Sequence, residues 1–303
     1  MNKKLLVSVL GPTAIGKTNV TIELAKFFNS EIISCDSRQF YKELSIGTAV
    51  PSKEELSQVT HHFIQNKSIH ESYTVGDYEI EAKKTLENIF KTNDIAFLTG
   101  GSGLFEKALT IGLDDFPEIS SEIREELNQL FIKEGISSLQ KMLQEKDPIY
   151  FNIIDKQNHR RLIRALEVCI STNSPYSSHL KKNLKKESSF NNIKIGLTIP
   201  REQLYQQINN RVDTMMENGL LEEAKQNYFF KHLNALQTVG YKELFSFLDQ
   251  ELTLNEAINE IKKNTRRYAK RQLTWYRKDE EVNWFNPSEI NRIKNIITEY
   301  KEI

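Results

Sequence analysis

Short apolar runs alternate with segments of helical periodicity along much of the chain. Four runs have the length and composition of strands that are buried on both faces. They lie at 5–10, 31–35, 95–99 and 193–199. Between them, apolar residues recur at helical spacing, most clearly at 18–28 and 76–91. This alternation predicts an α/β fold in which helices flank a parallel sheet and ligands bind at the carboxyl ends of the strands.

From about residue 114 the pattern changes to short amphipathic helices without a strand signal. Three helices are predicted, at 119–134, 137–146 and 157–171. A lysine-rich polar stretch follows at 181–186. We therefore predict a helical insertion domain at 114–192 and a core domain formed by residues 1–113 and 193–303. From residue 201 onward the core domain is predicted to be almost entirely helical.

The first predicted strand leads directly into a complete G-x-x-x-x-G-K-[ST] motif, and a predicted helix follows it. The motif, which we call the phosphate loop, consists of Gly11, Pro12, Thr13, Ala14, Ile15, Gly16, Lys17 and Thr18. A glycine turn that opens a helix aims backbone N–H groups and the positive end of the helix dipole at one point. Lys17 adds a cation there, and the Thr18 hydroxyl can hold a magnesium ion. The motif predicts binding of a di- or triphosphate but does not indicate which reaction follows.

Composition narrows the class of protein without pointing to a partner. The 303 residues include 41 Lys and Arg against 41 Asp and Glu, so net charge alone gives no indication of nucleic-acid binding. The two cysteines, Cys35 and Cys169, are far apart, which argues for a reducing compartment and against a disulfide framework or a zinc finger. No apolar run reaches the ~18 residues of a membrane span, and the first strand begins too early for a targeting peptide. We expect a cytoplasmic protein without a membrane partner.

Positive charge is nevertheless concentrated locally. Between Lys262 and Lys278 the chain has eight basic residues, no acidic residue and several interleaved aromatic residues. Four residues would share one face of a helix: Arg267, Lys270, Arg271 and Thr274. A second basic cluster, from Lys156 to Arg164, lies in the predicted insertion. A solvated helix face is the ordinary explanation for such runs, but cations mixed with aromatic rings favour nucleic-acid binding through phosphate contacts and base stacking.

The aspartate that a phosphate-loop ATPase needs is missing from its usual place. Such an enzyme ends a second strand with an aspartate that organises magnesium, whereas the predicted strand 95–99 leads into Gly100 and Gly101. An acidic residue appears instead at Asp36, directly after the strand at 31–35. A carboxylate there could be a magnesium ligand, a general base or a helix N-cap, and the residue types alone do not separate these roles.

Several ordered sequence blocks together resemble the tRNA dimethylallyltransferase family over nearly the whole chain. The blocks are 11–18, 36–41 with 46–51, 61–64, 100–105, 160–168, 237–242 and 270–277. Enzymes of this family transfer a dimethylallyl group from dimethylallyl diphosphate to N6 of A37, the adenosine beside the anticodon of tRNA. The resemblance implies this activity, a P-loop NTPase-like parallel sheet flanked by helices, and a monomer whose partners are tRNA and dimethylallyl diphosphate.

The resemblance also implies roles for individual residues. The phosphate loop would hold the diphosphate of the allylic donor together with Mg²⁺, with Thr18 as a metal ligand, and ATP would not be the substrate. Lys17 and Arg211 would stabilise the charge that develops on the diphosphate as the C–O bond breaks. Asp36 would accept the proton from the adenine N6 amine, which is a poor nucleophile without a base.

The resemblance further implies contacts with tRNA at residues distributed over both predicted domains. They are Asp36, Ser37, Arg38, Gln39, Ser102, Arg124, Arg160, Arg161, Leu162, Ile163, Arg164, Gln237, Thr238, Val239, Gly240, Tyr241, Lys242, Lys270, Arg271, Gln272, Leu273, Thr274, Trp275, Tyr276 and Arg277. Residues of both basic clusters found from charge alone are among them. The target base must leave its stack to reach the allyl group, so the neighbouring nucleotides must be bound as well.

A few residues depart from the family pattern. Ile15 replaces a small loop residue, and we expect its side chain to point away from the ligand. Ser102 stands for a threonine and keeps the hydroxyl, whereas Phe105 stands for a tyrosine and lacks the phenol. His61 and His62 resemble half of a zinc site, but no third ligand is evident, and we interpret them as structural.

Two other activities remain open at this point. An isopentenyltransferase that acts on free adenine nucleotides would share the loop and the base but would not need two basic clusters. A small-molecule kinase would use the loop for ATP but lacks the aspartate after the third strand.

Overall fold

The computed structural model describes residues 4–114, 116, 119–180 and 189–302. The lysine-rich stretch at 181–186 lies outside the described residues. The chain divides into two compact units, a core unit formed by residues 1–112 and 187–303 and a helical unit formed by residues 113–186. Among the helices of the described ranges, none is both long and apolar enough to cross a membrane.

The described ranges contain the following strands and helices. The strands are β1 (Lys4–Leu10), β2 (Ile32–Ser34), β3 (His61–His62), β4 (Ile95–Thr99), β5 (Phe190–Leu197) and β6 (Val282–Phe285). The helices are α1 (Lys17–Phe27), α2 (Lys53–Leu56), α3 (Val75–Thr92), α4 (Gly103–Thr110), α5 (Ser121–Glu134), α6 (Ile136–Lys146), α7 (Pro148–Ile153), α8 (His159–Thr172), α9 (Tyr176–His179), α10 (Arg201–Glu217), α11 (Leu220–Asn227), α12 (Tyr241–Leu248), α13 (Leu254–Tyr276) and α14 (Ile290–Glu302).

The six strands form one parallel sheet in the order β3-β2-β4-β1-β5-β6. The α/β fold and the four predicted strands are confirmed, although β5 begins at Phe190 and ends at Leu197 rather than spanning 193–199. The expectation that the chain is almost all helix after residue 201 missed β6. Both β3 and β6 are short strands at the edges of the sheet, where the apolar signal is weakest.

Helices cover both faces of the sheet, which explains why the central strand β1 reads as a continuous apolar run. Leu5, Val7 and Val9 pack in a core that includes side chains of α1 and α14. Leu6 packs in a second core with Tyr78 and other residues of α3. Alternate residues of a strand point to opposite faces, so β1 is buried between two helical layers. Its carboxyl end opens into the phosphate loop.

The 23-residue helix α13 positions much of the site described below. It begins at a capping box in which Thr253 and Glu256 each accept a hydrogen bond from the other residue's backbone N–H. Its buried side chains join two cores: Ala257 and Ile261 lie in a third apolar cluster with α10 to α12, and Ala269 lies in the core beneath the sheet. The helix is therefore fixed along its length, while its remaining faces are free to carry polar side chains.

The helical unit has an apolar core of its own. Leu127 of α5, Leu139 and Leu143 of α6, and Leu162 and Leu166 of α8 are buried together. The three helices predicted in this part of the chain are confirmed to within two residues at each end. The hydrophobic pattern did not reveal the short helices α7 and α9.

Candidate active site

The phosphate loop connects β1 to α1 in a conformation that depends on its glycines. Gly11 and Gly16 have φ values of 146° and 93°, which disfavour a side chain. A Cβ atom on Gly11 would also lie 2.9 Å from the carbonyl oxygen of Leu197. Gly16 precedes α1 and has no side chain that could cover the N–H groups of its first turn. Ile15 is 3% exposed and packs in the core, as we expected for a side chain pointing away from a ligand.

The Lys17 ammonium folds back over this loop. Its Nζ donates hydrogen bonds to the carbonyl oxygens of Gly11 and Pro12, at 3.0 and 2.8 Å. Burial lowers the pKa of Lys17 to about 8; the charge of Asp36 opposes this shift, and that of Arg211 adds to it. Lys17, Asp36 and Arg211 are thus close enough to influence one another, although they come from three separate segments.

Asp36 uses its two carboxylate oxygens differently. Oδ1 accepts a hydrogen bond from the backbone N–H of Arg38 at 3.0 Å, which stabilises the turn after β2. Oδ2 accepts no hydrogen bond from the part of the chain that the structure describes. It faces Gly101, since a Cβ atom on that residue would lie 3.0 Å away. The local turn therefore accounts for one oxygen, and the other is available to a ligand.

A cavity of about 120 Å³ lies beside these residues. Its polar lining includes Thr13, Asp36 and Arg211. Its apolar lining comes from Ile208, Val212, Met215, Leu220, Val239 and Ile261. Burial lowers the pKa of Arg211, and the nearby carboxylate of Asp36 opposes this effect. The cavity thus combines a cation and an open carboxylate oxygen with an apolar wall.

Glu223 holds one side of this cavity and was not predicted from the sequence. Its carboxylate accepts hydrogen bonds from three consecutive backbone N–H groups, at 45, 46 and 47, over 2.8–3.1 Å. It also accepts one from the Tyr241 hydroxyl at 2.5 Å. The ring of Tyr241 leaves no room for a Cβ atom on Gly47, which would lie 2.6 Å away. No local motif marks Glu223, because its partners lie far away in sequence.

A second, more open cavity of about 720 Å³ brings together many of the residues predicted to contact tRNA. Those that line it are Ser37, Arg38, Ser102, Gln237, Thr238, Val239, Lys242 and Arg271. Arg38 and Tyr268 line both this groove and the smaller cavity. Tyr268 is one of the aromatic residues interleaved in the basic run between Lys262 and Lys278, and the sequence assigned it no role of its own. A large, polar groove thus adjoins the cavity that contains Asp36.

The four residues predicted to share one face of a helix do lie on α13, and that face is exposed. Arg267, Lys270, Arg271 and Thr274 are all exposed, and Arg277 follows them at the end of the helix. Other residues of the 270–277 block are buried or partly buried and do not belong to this exposed face. Gln272 and Tyr276 are 5% and 2% exposed, and Leu273 packs against the core, so their side chains cannot contribute to a tRNA-binding surface. Trp275 is 46% exposed and contacts Gly103.

Three further residues of the predicted tRNA-contacting set are buried or bonded within the protein. Tyr241 is completely buried, and Gly240 is buried beside it. Gln39 donates hydrogen bonds to the carbonyl oxygens of Thr48 and Ala49, and thereby holds the segment that lines the smaller cavity. The prediction transferred whole blocks from the family, whereas only some side chains of each block face outward.

In the helical unit, too, some of the residues predicted to contact tRNA are exposed and others are buried. Arg160 and Arg161 are exposed at the start of α8, whereas Leu162 and Ile163 are buried in the core of that unit. Arg124 and Arg164 both pair with Glu167, which is 1% exposed, with N···O distances of 2.5 and 3.4 Å. These two arginines keep large exposed fractions, of 58% and 41%.

The remaining candidate residues have local structural partners. His62 Nε2 lies 2.7 Å from Glu31 Oε2, and His61 Nδ1 lies 2.8 Å from the Val59 carbonyl oxygen. Phe105 packs against two aromatic rings of the second core. In the described ranges there is no group of three or more His, Cys, Asp or Glu side chains that could hold a metal ion.

The parallel sheet flanked by helices, with a strand–loop–helix unit after its central strand and a cavity beside that loop, defines the chain as an α/β protein. A model of the IPP transferase family matches residues 39–279, and the chain belongs to this family.

Known relatives match almost the whole chain. It is 56% identical over 280 residues to a tRNA dimethylallyltransferase of Christiangramia forsetii, covering 92% of each protein. It is 55% identical over 287 residues to a tRNA dimethylallyltransferase of Flavobacterium psychrophilum, covering 93% of each.

Solved structures agree with this relationship. The full-length tRNA isopentenylpyrophosphate transferase of Bacillus halodurans has a TM-score of 0.74 and 38% identity, covering 99% of this chain and 97% of that one. A eukaryotic dimethylallyltransferase acting on tRNA has a TM-score of 0.81 and 25% identity, covering 94% of this chain and 74% of that one.

Proposed function

We propose that the protein transfers the dimethylallyl group of dimethylallyl diphosphate to N6 of A37 in tRNA, giving N6-isopentenyladenosine. Membership of the IPP transferase family supports this activity. The observation that carries it is the arrangement of Asp36. One open oxygen of this carboxylate shares a cavity with Arg211 and a phosphate-loop residue, and the same cavity adjoins the polar groove. A donor and an acceptor can therefore approach Asp36 from two sides.

In the proposed reaction the N6 amine attacks the allylic carbon, the new N–C bond forms, and the C–O bond to the diphosphate breaks. The N–H groups at the start of α1, together with Lys17 and Arg211, stabilise the negative charge that develops on the leaving diphosphate. Oδ2 of Asp36 takes the proton released from N6. The apolar wall of the cavity surrounds the allyl group and excludes water.

The residues of the site fit a bound Mg²⁺. Mg²⁺ is usually bound by one or two protein oxygens, substrate phosphates and several waters rather than by a cage of protein side chains. The Thr18 hydroxyl in the first turn of α1 would supply such an oxygen, and this mode needs no cluster of three acidic or histidine ligands. When bound, Mg²⁺ neutralises charge on the diphosphate.

We propose that tRNA contacts the exposed members of the predicted set. In the core unit these are the groove residues together with Lys270, Thr274, Trp275 and Arg277, and in the helical unit they are Arg124, Arg160, Arg161 and Arg164. The lysine and arginine side chains of this set would contact tRNA phosphates, and such contacts weaken as the salt concentration rises. We further propose that the enzyme acts as a monomer and that it is cytoplasmic; its two buried cysteines form no disulfide, which suits a reducing compartment.

The test is a comparison of acceptors with labelled dimethylallyl diphosphate. We expect transfer to an anticodon stem-loop containing A37 and none to a stem-loop with G37, because guanosine lacks the N6 amine. Equal transfer to free AMP would instead favour an isopentenyltransferase of free nucleotides. Phosphoryl transfer from ATP, with no prenyl transfer, would favour a kinase.

A further inference from the structure

One face of α13 fixes the glycine loop, which we define as residues 100–103. The Tyr268 hydroxyl and the Gln272 side-chain Nε2 both donate to the carbonyl oxygen of Gly101, at 3.1 and 2.8 Å. A Cβ atom on Gly103 would lie 2.1 Å from Nε1 of Trp275, so any larger residue there would displace the indole ring. The contacts recur at positions 268, 272 and 275, which lie along one side of a helix.

Gln272 also reaches the phosphate loop. Its Oε1 accepts a hydrogen bond from the backbone N–H of Thr13 at 2.8 Å. A primary amide presents a donor and an acceptor in one rigid plane, so this side chain joins two loops that follow different strands. The residue is 5% exposed, and both ends of its amide are occupied within the protein. Because the amide is buried and bonded at both ends within the protein, it is not positioned to contact tRNA directly.

Asp36 lies beside the loops that Gln272 joins. The Gly101 backbone faces the open Oδ2 oxygen of Asp36, and an additional methyl group there would lie 3.0 Å from it. Thr13 lines the same cavity as Asp36. The distance between the phosphate loop and the glycine loop consequently fixes where the leaving group lies relative to the base.

We propose that Gln272 is a positioning residue for prenyl transfer, which holds the phosphate loop and the glycine loop at the separation that the reaction requires. The inference rests on the proposed function. Lys270 and Thr274 of the same helix point outward, so α13 would bind tRNA with one face and align the reacting groups with the other. A misplacement of ~1 Å can lower a rate by ~10²-fold, so one lost amide can have a large kinetic effect.

The test uses Gln272→Met, which preserves length and shape but cannot form either hydrogen bond. We expect kcat to fall about 10- to 100-fold, while KM for tRNA changes less than about threefold and the midpoint of thermal unfolding stays within a few degrees. Lys270→Met on the outer face is the matched control, and there we expect KM for tRNA to rise while kcat is kept. Gln272→Glu, of the same size but without the donor, provides a second variant if the first does not fold.

An unchanged kcat in a folded Gln272 variant would overturn the proposal. So would a rise in KM for tRNA at constant kcat, since that result means direct binding. Amide hydrogen exchange of Thr13 gives a readout that does not depend on activity. Exchange should be slow in the wild type and fast in Gln272→Met, whereas equal rates would contradict the link between the loops. If the wild type itself transfers no dimethylallyl group, the proposed function fails, and hydrogen exchange still tests the link.

Discussion

At the scale of single residues, the two carboxylate oxygens of Asp36 have different surroundings, and each suits a different role. Its Oδ1 stabilises a turn in the way that an N-cap residue would, through the N–H of Arg38. Its Oδ2 remains open beside the cavity. The sequence predicted a functional carboxylate at this position, and only the fold shows that its oxygens differ in this way.

Replacing Asp36 with asparagine separates its role in the turn from its proposed role as a base. Asparagine can still accept the Arg38 N–H bond through its side-chain oxygen, but it cannot take a proton from N6. We expect transfer to fall by about 10²- to 10⁴-fold, with diphosphate affinity largely kept, as measured by single-turnover assays and calorimetry. Asp77→Asn, at the capping box of α3, is the control and should leave the rate unchanged. Normal turnover by Asp36→Asn would remove Asp36 from the chemistry.

The lowered pKa of Lys17 predicts that diphosphate binding depends on pH. Its pKa is lowered to about 8 in the free protein because the ammonium is buried. A bound diphosphate favours the charged form and raises this pKa, so binding takes up a proton wherever the free amine is neutral. Affinity should be highest below pH 8 and fall as the pH rises above it, by up to tenfold per unit. Calorimetry in buffers of different ionisation enthalpy measures the proton uptake. Lys17→Met should abolish it, and uptake that persists in this variant would assign the effect to another group.

At the scale of elements, apolar periodicity predicted those that bury a wide face. Strands β1, β2, β4 and β5 and the longer helices follow that pattern, whereas the edge strands β3 and β6 include polar residues and lack a continuous apolar run. The orientation of the outer face of α13 was also predictable, because helical geometry fixes which residues are neighbours. The roles of Gln272 and Glu223 were not. Gln272 accepts a hydrogen bond from Thr13, 259 positions away, and Glu223 accepts bonds from backbone N–H groups 176 to 178 positions away, so the fold alone brings these partners together.

Glu223 of α11 binds the backbone of the segment at 45–47, so we expect its removal to lower the stability of the protein strongly. Glu223→Ala removes the acceptor of three backbone N–H groups and of the Tyr241 hydroxyl. We expect the free energy of unfolding to fall by about 3 kcal/mol, because hydrogen bonds to a charged group are strong and buried donors are costly to leave unpaired. Urea denaturation measures this. Glu222→Ala, an exposed neighbour on the same helix, should cost less than ~0.5 kcal/mol, and equal losses would contradict this role of Glu223.

At the scale of the whole molecule, an even charge balance conceals two cationic surfaces. The 41 basic and 41 acidic residues are distributed so that α13 in the core unit and the start of α8 in the helical unit each present exposed arginines. Composition could not reveal this, since net charge sums over the whole surface. The compact units each have their own apolar core, so both cationic surfaces are carried on rigid elements.

The central claim is that the phosphate loop holds a leaving diphosphate while a tRNA adenosine accepts the carbon group. Nucleoside analysis of tRNA from cells that lack this protein tests it most directly. We predict that N6-isopentenyladenosine and its derivatives disappear from tRNA, that unmodified adenosine appears at position 37, and that wild-type protein restores the modification whereas Asp36→Asn does not. An unchanged content of N6-isopentenyladenosine in the tRNA of those cells would contradict the claim.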